Sequence, residues 1–181
     1  EGDNGYAIDT EKFYENVMNR YKYGGLDTPG LYLDETTMRI CYSHRRLFAQ
    51  LAKELVKQGD NARAQKVLAY AEQAIPAYNV PEVYESGSYD IATAYASIGE
   101  TQKATDLLNH LIAESENYID WAFSLGDSRI EMVQRDCLYK FWQWNQCNEL
   151  LKDMDKERYK QSNQQFEEKY MRLAQLMNYQ N

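Results

Sequence analysis

Between Phe48 and Pro76 the chain places large and small residues at spacings that suit a pair of packed antiparallel helices. Phe48, Leu51, Ala52 and Leu55 come first, Gly59 follows, and Ala64, Leu68, Ala71 and Pro76 complete the series. Offsets of three and four bring side chains onto one helical face. The large residues would fill the seam between two helices, and Ala52, Ala64 and Ala71 would let the backbones approach. Gly59 would end the first helix, because glycine takes the left-handed cap without strain. Asp60 or Asn61 would cap the partner helix, which should end near Pro76.

This order of sizes is the tetratricopeptide (TPR) pattern. It predicts an all-α fold, a TPR-like array of antiparallel helical hairpins with a long C-terminal helix. A second, partial copy ends its first helix at Gly99, with Ile91, Ala92 and Tyr95 before it and Ala104 and Leu108 after it. Ser88, Leu111 and Glu116 do not fit that copy. A weaker third copy has Cys137, Leu138 and Phe141 before Asn145, then Leu150 and Met154.

The division expected is a flexible lead-in over 1–9 and a single all-α domain over 10–181. Within the domain, 10–44 holds an N-terminal helix, a Gly-rich loop and the start of the next helix. Repeat 1 spans 45–78, repeat 2 spans 85–118, and 127–181 forms a degenerate hairpin with the long terminal helix. Phe13, Tyr14, Val17, Met18 and Tyr21 mark one face of a helix opening at Thr10. Tyr23 to Gly30 reads as a loop, and Leu31-Tyr32-Leu33 as a short extended apolar clamp. Asp34 caps the helix that runs to Gly59. Leu151, Met154, Phe166, Tyr170, Leu173 and Met177 suggest one amphipathic helix from about 148 to 178, since neither Gly nor Pro follows Gly126. That helix and the one bearing Tyr14 are the expected polar-faced caps of the array.

Composition narrows the function classes. A net charge of −8 argues against non-specific nucleic-acid binding. Nine glycines and three prolines are too few for an all-β chain with regular turns. No apolar run approaches the roughly 20 residues of a membrane span, so no direct membrane insertion by this chain is expected. The sequence opens on Glu1 with no visible signal peptide, as expected of a processed chain or a piece of a larger one. Cys41, Cys137 and Cys147 show no disulfide or metal spacing and read as small buried hydrophobes.

No catalytic constellation emerges. His44 and His110 have no second ligand at three or four residues' distance, so neither a metal nor a cofactor is expected. Ser43 beside His44 lacks an acid partner and a nucleophile elbow. Gly24-Gly25 lacks the lysine and hydroxyl residue of a phosphate loop and reads as a turn.

The inner face of the hairpins is the candidate binding surface. In the first copy it presents Arg46, Gln50, Lys53 and Lys57. In the second it presents Tyr89, Asp90, Thr93 and Ser97. Arg39, Arg45, Arg46, Lys53 and Lys57 face a single acid, Glu54, over 36–58, a local positive excess in an acidic chain. Such a stripe suits a carboxylate or an acidic peptide. A solvated face paired with acids on the next helix is the ordinary alternative. Sixteen tyrosines are the other unusual feature, and Tyr78, Tyr84, Tyr89 and Tyr95 cluster near the inter-repeat connection. Tyr78, Tyr84 and Tyr95 form the alternative surface, for a small ligand or glycan.

Three runs in the first fifty residues carry a family likeness: Phe13-Tyr14-Glu15-Asn16-Val17-Met18, Tyr23-Gly24-Gly25-Leu26-Asp27 and Tyr32-Leu33-Asp34-Glu35, leading into Arg46-Leu47-Phe48-Ala49-Gln50-Leu51-Ala52. The chain resembles the soluble C-terminal TPR-like region of a Bacteroidetes family of large multi-spanning membrane proteins of unknown function. Their N-terminal part is similar to protein O-mannosyltransferases. The resemblance implies a periplasmic location on a membrane-anchored parent; without it, a cytoplasmic one is expected. It carries over no catalytic residue, and any transferase chemistry would belong to the membrane part. The function expected is a non-catalytic interaction module that binds a protein partner or its own membrane part, with no nucleic-acid partner.

Overall fold

A computed structural model describes residues 8–178, with the side chains of Ser128 and Asn178 excepted. The lead-in expected over 1–9 therefore falls largely outside the described residues. The described chain is all-α, with seven α-helices in order. The chain divides into two compact units, Glu1–Glu100 and Thr101–Asn181. The expected repeat 2, over 85–118, straddles that boundary.

The first unit is organised around α2 (Glu35–Lys57), whose start and end follow from its sequence. The Asp34 carboxylate accepts from the Thr37 backbone N–H at 2.7 Å. At the other end Gly59 adopts φ 78°. Its N–H reaches the Val56 carbonyl, and the Asp60 N–H reaches that of Leu55, each at 2.9 Å. This is the Schellman arrangement, which satisfies carbonyls a helix end leaves open. Gly99 repeats it after α4 (Ser88–Ser97): its own N–H goes to Ala96 and that of Glu100 to Tyr95. Between them α3 (Asn61–Ala74) starts where Asp60 accepts from the Arg63 N–H at 3.0 Å.

α2 packs against both α3 and α4. The residues of the size pattern meet at these seams: Phe48, Leu51, Ala52, Leu55, Ala64, Leu68 and Ala71 are all buried. Val67, Ile91, Ala92 and Tyr95 join them.

Three local expectations are corrected in this unit. The first helix, α1 (Thr10–Glu15), is only six residues long. One π-turn over Asn16–Arg20 then widens the coil. It rotates Tyr21 out to an extended backbone and an exposed position, so of the five face residues only Val17 is fully buried. Leu31-Tyr32-Leu33 is no clamp: Tyr32 is 88% exposed and Leu31 is exposed too. Tyr95, expected on a ligand surface, is 3% exposed, and its hydroxyl donates to the Glu72 carboxylate.

The connection between α3 and α4 is irregular, and one side chain organises it. Arg45 on α2 is 4% exposed. Its guanidinium donates to the carbonyls of Val80 (2.7 Å), Pro81 (2.8 Å) and Ile75 (3.2 Å), and to Ser86 Oγ (2.8 Å). Ser86 Oγ also lies 2.8 Å from Ser88 Oγ. Five fixed donors on a plane suit such a task better than the point charge of a lysine.

The second unit contains α5 (Thr101–Ser124), α6 (Ile130–Met154) and α7 (Lys156–Asn178). α6 packs against both others. Leu108, Leu111, Ile112, Ile119, Phe141, Trp144, Cys147 and Leu151 form its core. The long helix expected over 148–178 is two helices. Asp155 breaks the chain at φ −144° and ψ 89°. Its carboxylate then accepts from the Arg158 N–H at 3.0 Å, capping α7. An aspartate does here what Gly or Pro would do elsewhere. The turn expected at Asn145 is absent, because α6 runs through it; Trp144 and Cys147 on either side are both buried.

Two outcomes test this description. Arg45→Ala leaves three carbonyls and a hydroxyl without their donor, at about 1–3 kcal/mol for each buried acceptor left unmade. Chemical denaturation should show a loss of about 3 kcal/mol or more, with Arg45→Lys intermediate. Acid sensitivity gives the second. Backbone hydrogen bonds first, from Thr37 and Arg63 respectively, hold the Asp34 and Asp60 carboxyls below the usual range. Their contribution is complete above the unfolded value near 3.8 and drains as pH falls through the lowered folded values. Asp60→Asn keeps an N-cap but cannot titrate, so its Tm should fall less steeply than the native one below pH about 4.

Candidate functional site

The basic stripe of α2 takes shape as a set of internal contacts. Lys53 Nζ lies 2.6 Å from Asp90 Oδ1 on α4. Lys57 pairs with Glu54 on its own helix at 2.7 Å. Arg46 donates to the Glu85 carbonyl at 2.6 Å. The turn bearing Glu85 comes so close that a Cβ on Gly87 would sit 2.5 Å from Arg46 Cγ. Arg39 pairs with Glu35 at 2.6 Å, and Arg45 is buried. Thr93 and Ser97 return their hydroxyls to the carbonyls one turn back, those of Tyr89 and Thr93. Gln50 is exposed. Much of the positive charge counted along the sequence is thus matched where it stands.

The tyrosine cluster separates into different duties. Tyr84 and Tyr89 stack at 5.2 Å with ring planes 22° apart. Tyr78 donates its hydroxyl to the Asp27 carbonyl at 2.7 Å. With Tyr95 in the core, the three proposed ligand contacts do not share one accessible face.

A different place in the first unit is hollow. Met18, Asn19, Tyr21–Asp27, Tyr70, Gln73 and Ala74 line a cavity of about 330 Å³. Its wall is the Gly24-Gly25 loop, held firmly. The Asn79 amide donates to the Leu26 and Thr28 carbonyls at 2.7 and 2.6 Å. Tyr23 donates to the Val17 carbonyl at 3.0 Å, and its ring packs against those of Phe48 and Tyr70. Burial first, then the neighbouring tyrosines, push the Tyr23 phenol well above its usual range. His44 stands edge-on to both Tyr21 and Tyr23, with Nδ1 buried and unpartnered.

The second unit carries an apolar surface that the sequence reading missed. Leu138 of α6 and Tyr170, Leu173, Ala174 and Met177 of α7 line a cleft of about 120 Å³. Beside Leu138 along α6, Tyr139 and Trp142 are each 47% exposed and stack at 5.6 Å and 16°. Met132 is almost wholly exposed. At 100° per residue Leu138, Trp142, Tyr139 and Met132 occupy an arc of about 120° on α6. The signal was there in Met132, Leu138, Tyr139 and Trp142, but a helix apolar on most of its surface hides which arc is left over.

No group of three or more His, Cys, Asp or Glu is placed to hold a metal among the described residues. His44 and His110 lie in different units. All three cysteines are free and buried. Burial pushes the Cys41 and Cys137 thiols up and raises Cys147 to about 12, so their thiolate fraction near neutrality is small. No helix among the described residues is long and apolar enough to cross a membrane. Compared with models of known protein families, with curated proteins and with solved structures, the chain matches none.

The Lys53–Asp90 pair separates a structural role from a binding one. Both side chains are about two-fifths exposed, so the pair should contribute about 0.2–1 kcal/mol. Lys53→Glu should lower Tm slightly by setting two carboxylates together. Adding Asp90→Lys should restore it in a thermal melt, as expected if the two residues serve each other.

Proposed function

We propose that this chain is a non-catalytic helical interaction module whose second unit receives an amphipathic helix of a protein partner. The observation that carries it is the exposed apolar arc of Leu138, Tyr139 and Trp142 continuing into the Tyr170–Met177 cleft. Isolated apolar residues on a surface need no explanation, but a continuous band does. Tyrosine and tryptophan are the side chains through which interfaces gain most of their energy. A seam between two helices, floored by the small Ala174, suits a third helix inserting residues three and four apart.

The TPR-like reading of the first unit supports the same class of function. Two Schellman-capped helices, α2 and α4, pack side by side with α3 between them in sequence. We further propose, on the resemblance of the first fifty residues, that the module is the soluble part of a larger membrane protein and lies on its periplasmic side. Any transferase reaction would belong to the membrane part. The burial of all three thiols is compatible with an oxidising compartment.

The test is a photo-crosslinking amino acid placed at Trp142, and separately at Lys53, in the chain expressed in native membranes. A discrete protein adduct from position 142, mapped by mass spectrometry to a helical segment, supports the proposal. Leu138→Asp with Tyr139→Ala should abolish partner recovery while circular dichroism and Tm stay near native. Undiminished recovery by that folded variant, or crosslinking from position 53 alone, sinks the assignment. An adduct to a second copy of this chain would replace the partner with a homodimer.

A further inference from the structure

The cavity of the first unit differs from the α2 stripe in one respect: its charges are not matched to each other. Lys22 and Asp27 both line it, and among the described residues neither side chain has an ion-pair or hydrogen-bond partner. In the same unit Lys53, Lys57, Arg39 and Arg63 each pair with an acid. One cation and one anion stand on the wall of a single cavity without closing on each other. The Gln73 amide adds a donor and an acceptor, while Met18, Leu26, Tyr70 and Ala74 supply apolar surface. The volume, about 330 Å³, lies at the small end of ligand cavities, roughly 300–1,000 Å³.

The wall is also set in advance. Gly24 and Gly25 take φ 60° and 74°, a backbone that L side chains rarely adopt. Asn79 and Tyr78 hold three successive carbonyls of the loop, those of Leu26, Asp27 and Thr28. The π-turn at Asn16–Arg20 forms the adjoining side, and such turns recur at functional sites. A cavity held this way loses little entropy when it is filled.

We propose that this cavity binds a free α-amino acid with an apolar side chain. Its carboxylate meets Lys22, and its ammonium meets Asp27 beside the tyrosine rings, where charge-assisted bonds and ring quadrupoles favour it. Its side chain rests on Met18, Leu26 and Tyr70. A net-neutral ligand carrying both charges answers the lining as a whole; an anion would meet Asp27 unpaired and a cation would meet Lys22. This binding goes beyond the partner-docking role proposed for the second unit and does not depend on it.

The experiment uses the whole chain. Each common L-amino acid is added at about 5 mM, or at saturation where it dissolves less, and Tm is followed by fluorimetry; the best is titrated by calorimetry. Acetate, ethylammonium and mannitol serve as single-charge and neutral controls. An apolar amino acid should raise Tm by several degrees and titrate at one site, and the controls should not. Lys22→Gln and Asp27→Asn should each weaken binding about tenfold, the loss of one charged contact. Both replace exposed side chains, so their unliganded Tm should stay near native. The proposal fails if no amino acid shifts Tm, if the shift survives both substitutions unchanged, or if mannitol titrates equally well.

Discussion

The arrangement of the first unit depends on a buried guanidinium. A helix pair can bury its apolar seam with many loop paths between its members, but the backbone of such a loop carries polar groups that must be met. Arg45 meets four acceptors spread from Ile75 to Ser86 from a single point on α2. It is the means by which an irregular stretch of a dozen residues gains one path, and that path sets where α4 begins. Burial pulls the Arg45 pKa down, opposed mainly by Glu82, yet a guanidinium starts so high that it stays charged. Neutral acceptors take the four Nη1 and Nη2 bonds, so the site is demanding: a guanidinium buried without them would not be tolerated.

The second unit solves its packing differently. Trp144 Nε1 donates to Ser162 Oγ at 2.7 Å, and Ser162 donates to Asn148 Oδ1 at 2.6 Å, entirely inside the protein. Phe141 meets Phe166 and Tyr170 edge to face beside them, and those two rings stack on each other. Nearer the surface, Lys169 pairs with both Glu116 and Asp120, and Arg172 lies over the Phe123 ring at 4.3 Å. These contacts fix α7 against α5 and α6. On α6, Leu138, Tyr139 and Trp142 stay between two-fifths and one-half exposed, which is why that surface is the place to look for a partner. Rigid aromatic side chains already held in position lose little freedom on binding.

The helices were readable from residue order because their signals are local. Asp34, Gly59, Asp60 and Gly99 act within a few residues of themselves, and each stands where its chemistry suggested. Asp155 acts as locally, but without Gly or Pro beside it the break between α6 and α7 looks in sequence like continuous helix. The π-turn at Asn16 has no such signature in the chain. The candidate sites were less legible. A count of charges along α2 shows a positive excess, but Lys53 is answered by Asp90, 37 residues later. Tyr95 and Tyr78 look alike in sequence, yet one is buried against Glu72 and the other pins a distant loop.

The sequence by itself determined the class of fold, both ends of α2, the start of α3 and the end of α4, because periodicity, caps and the left-handed glycines operate within a turn or two of the backbone. Only the tertiary structure decided which charges are already matched, which aromatic rings are left facing water, and where Lys22 and Asp27 come to share a cavity. Those properties depend on residues far apart in the chain being brought within a few ångströms, and no local rule of residue order contains that distance.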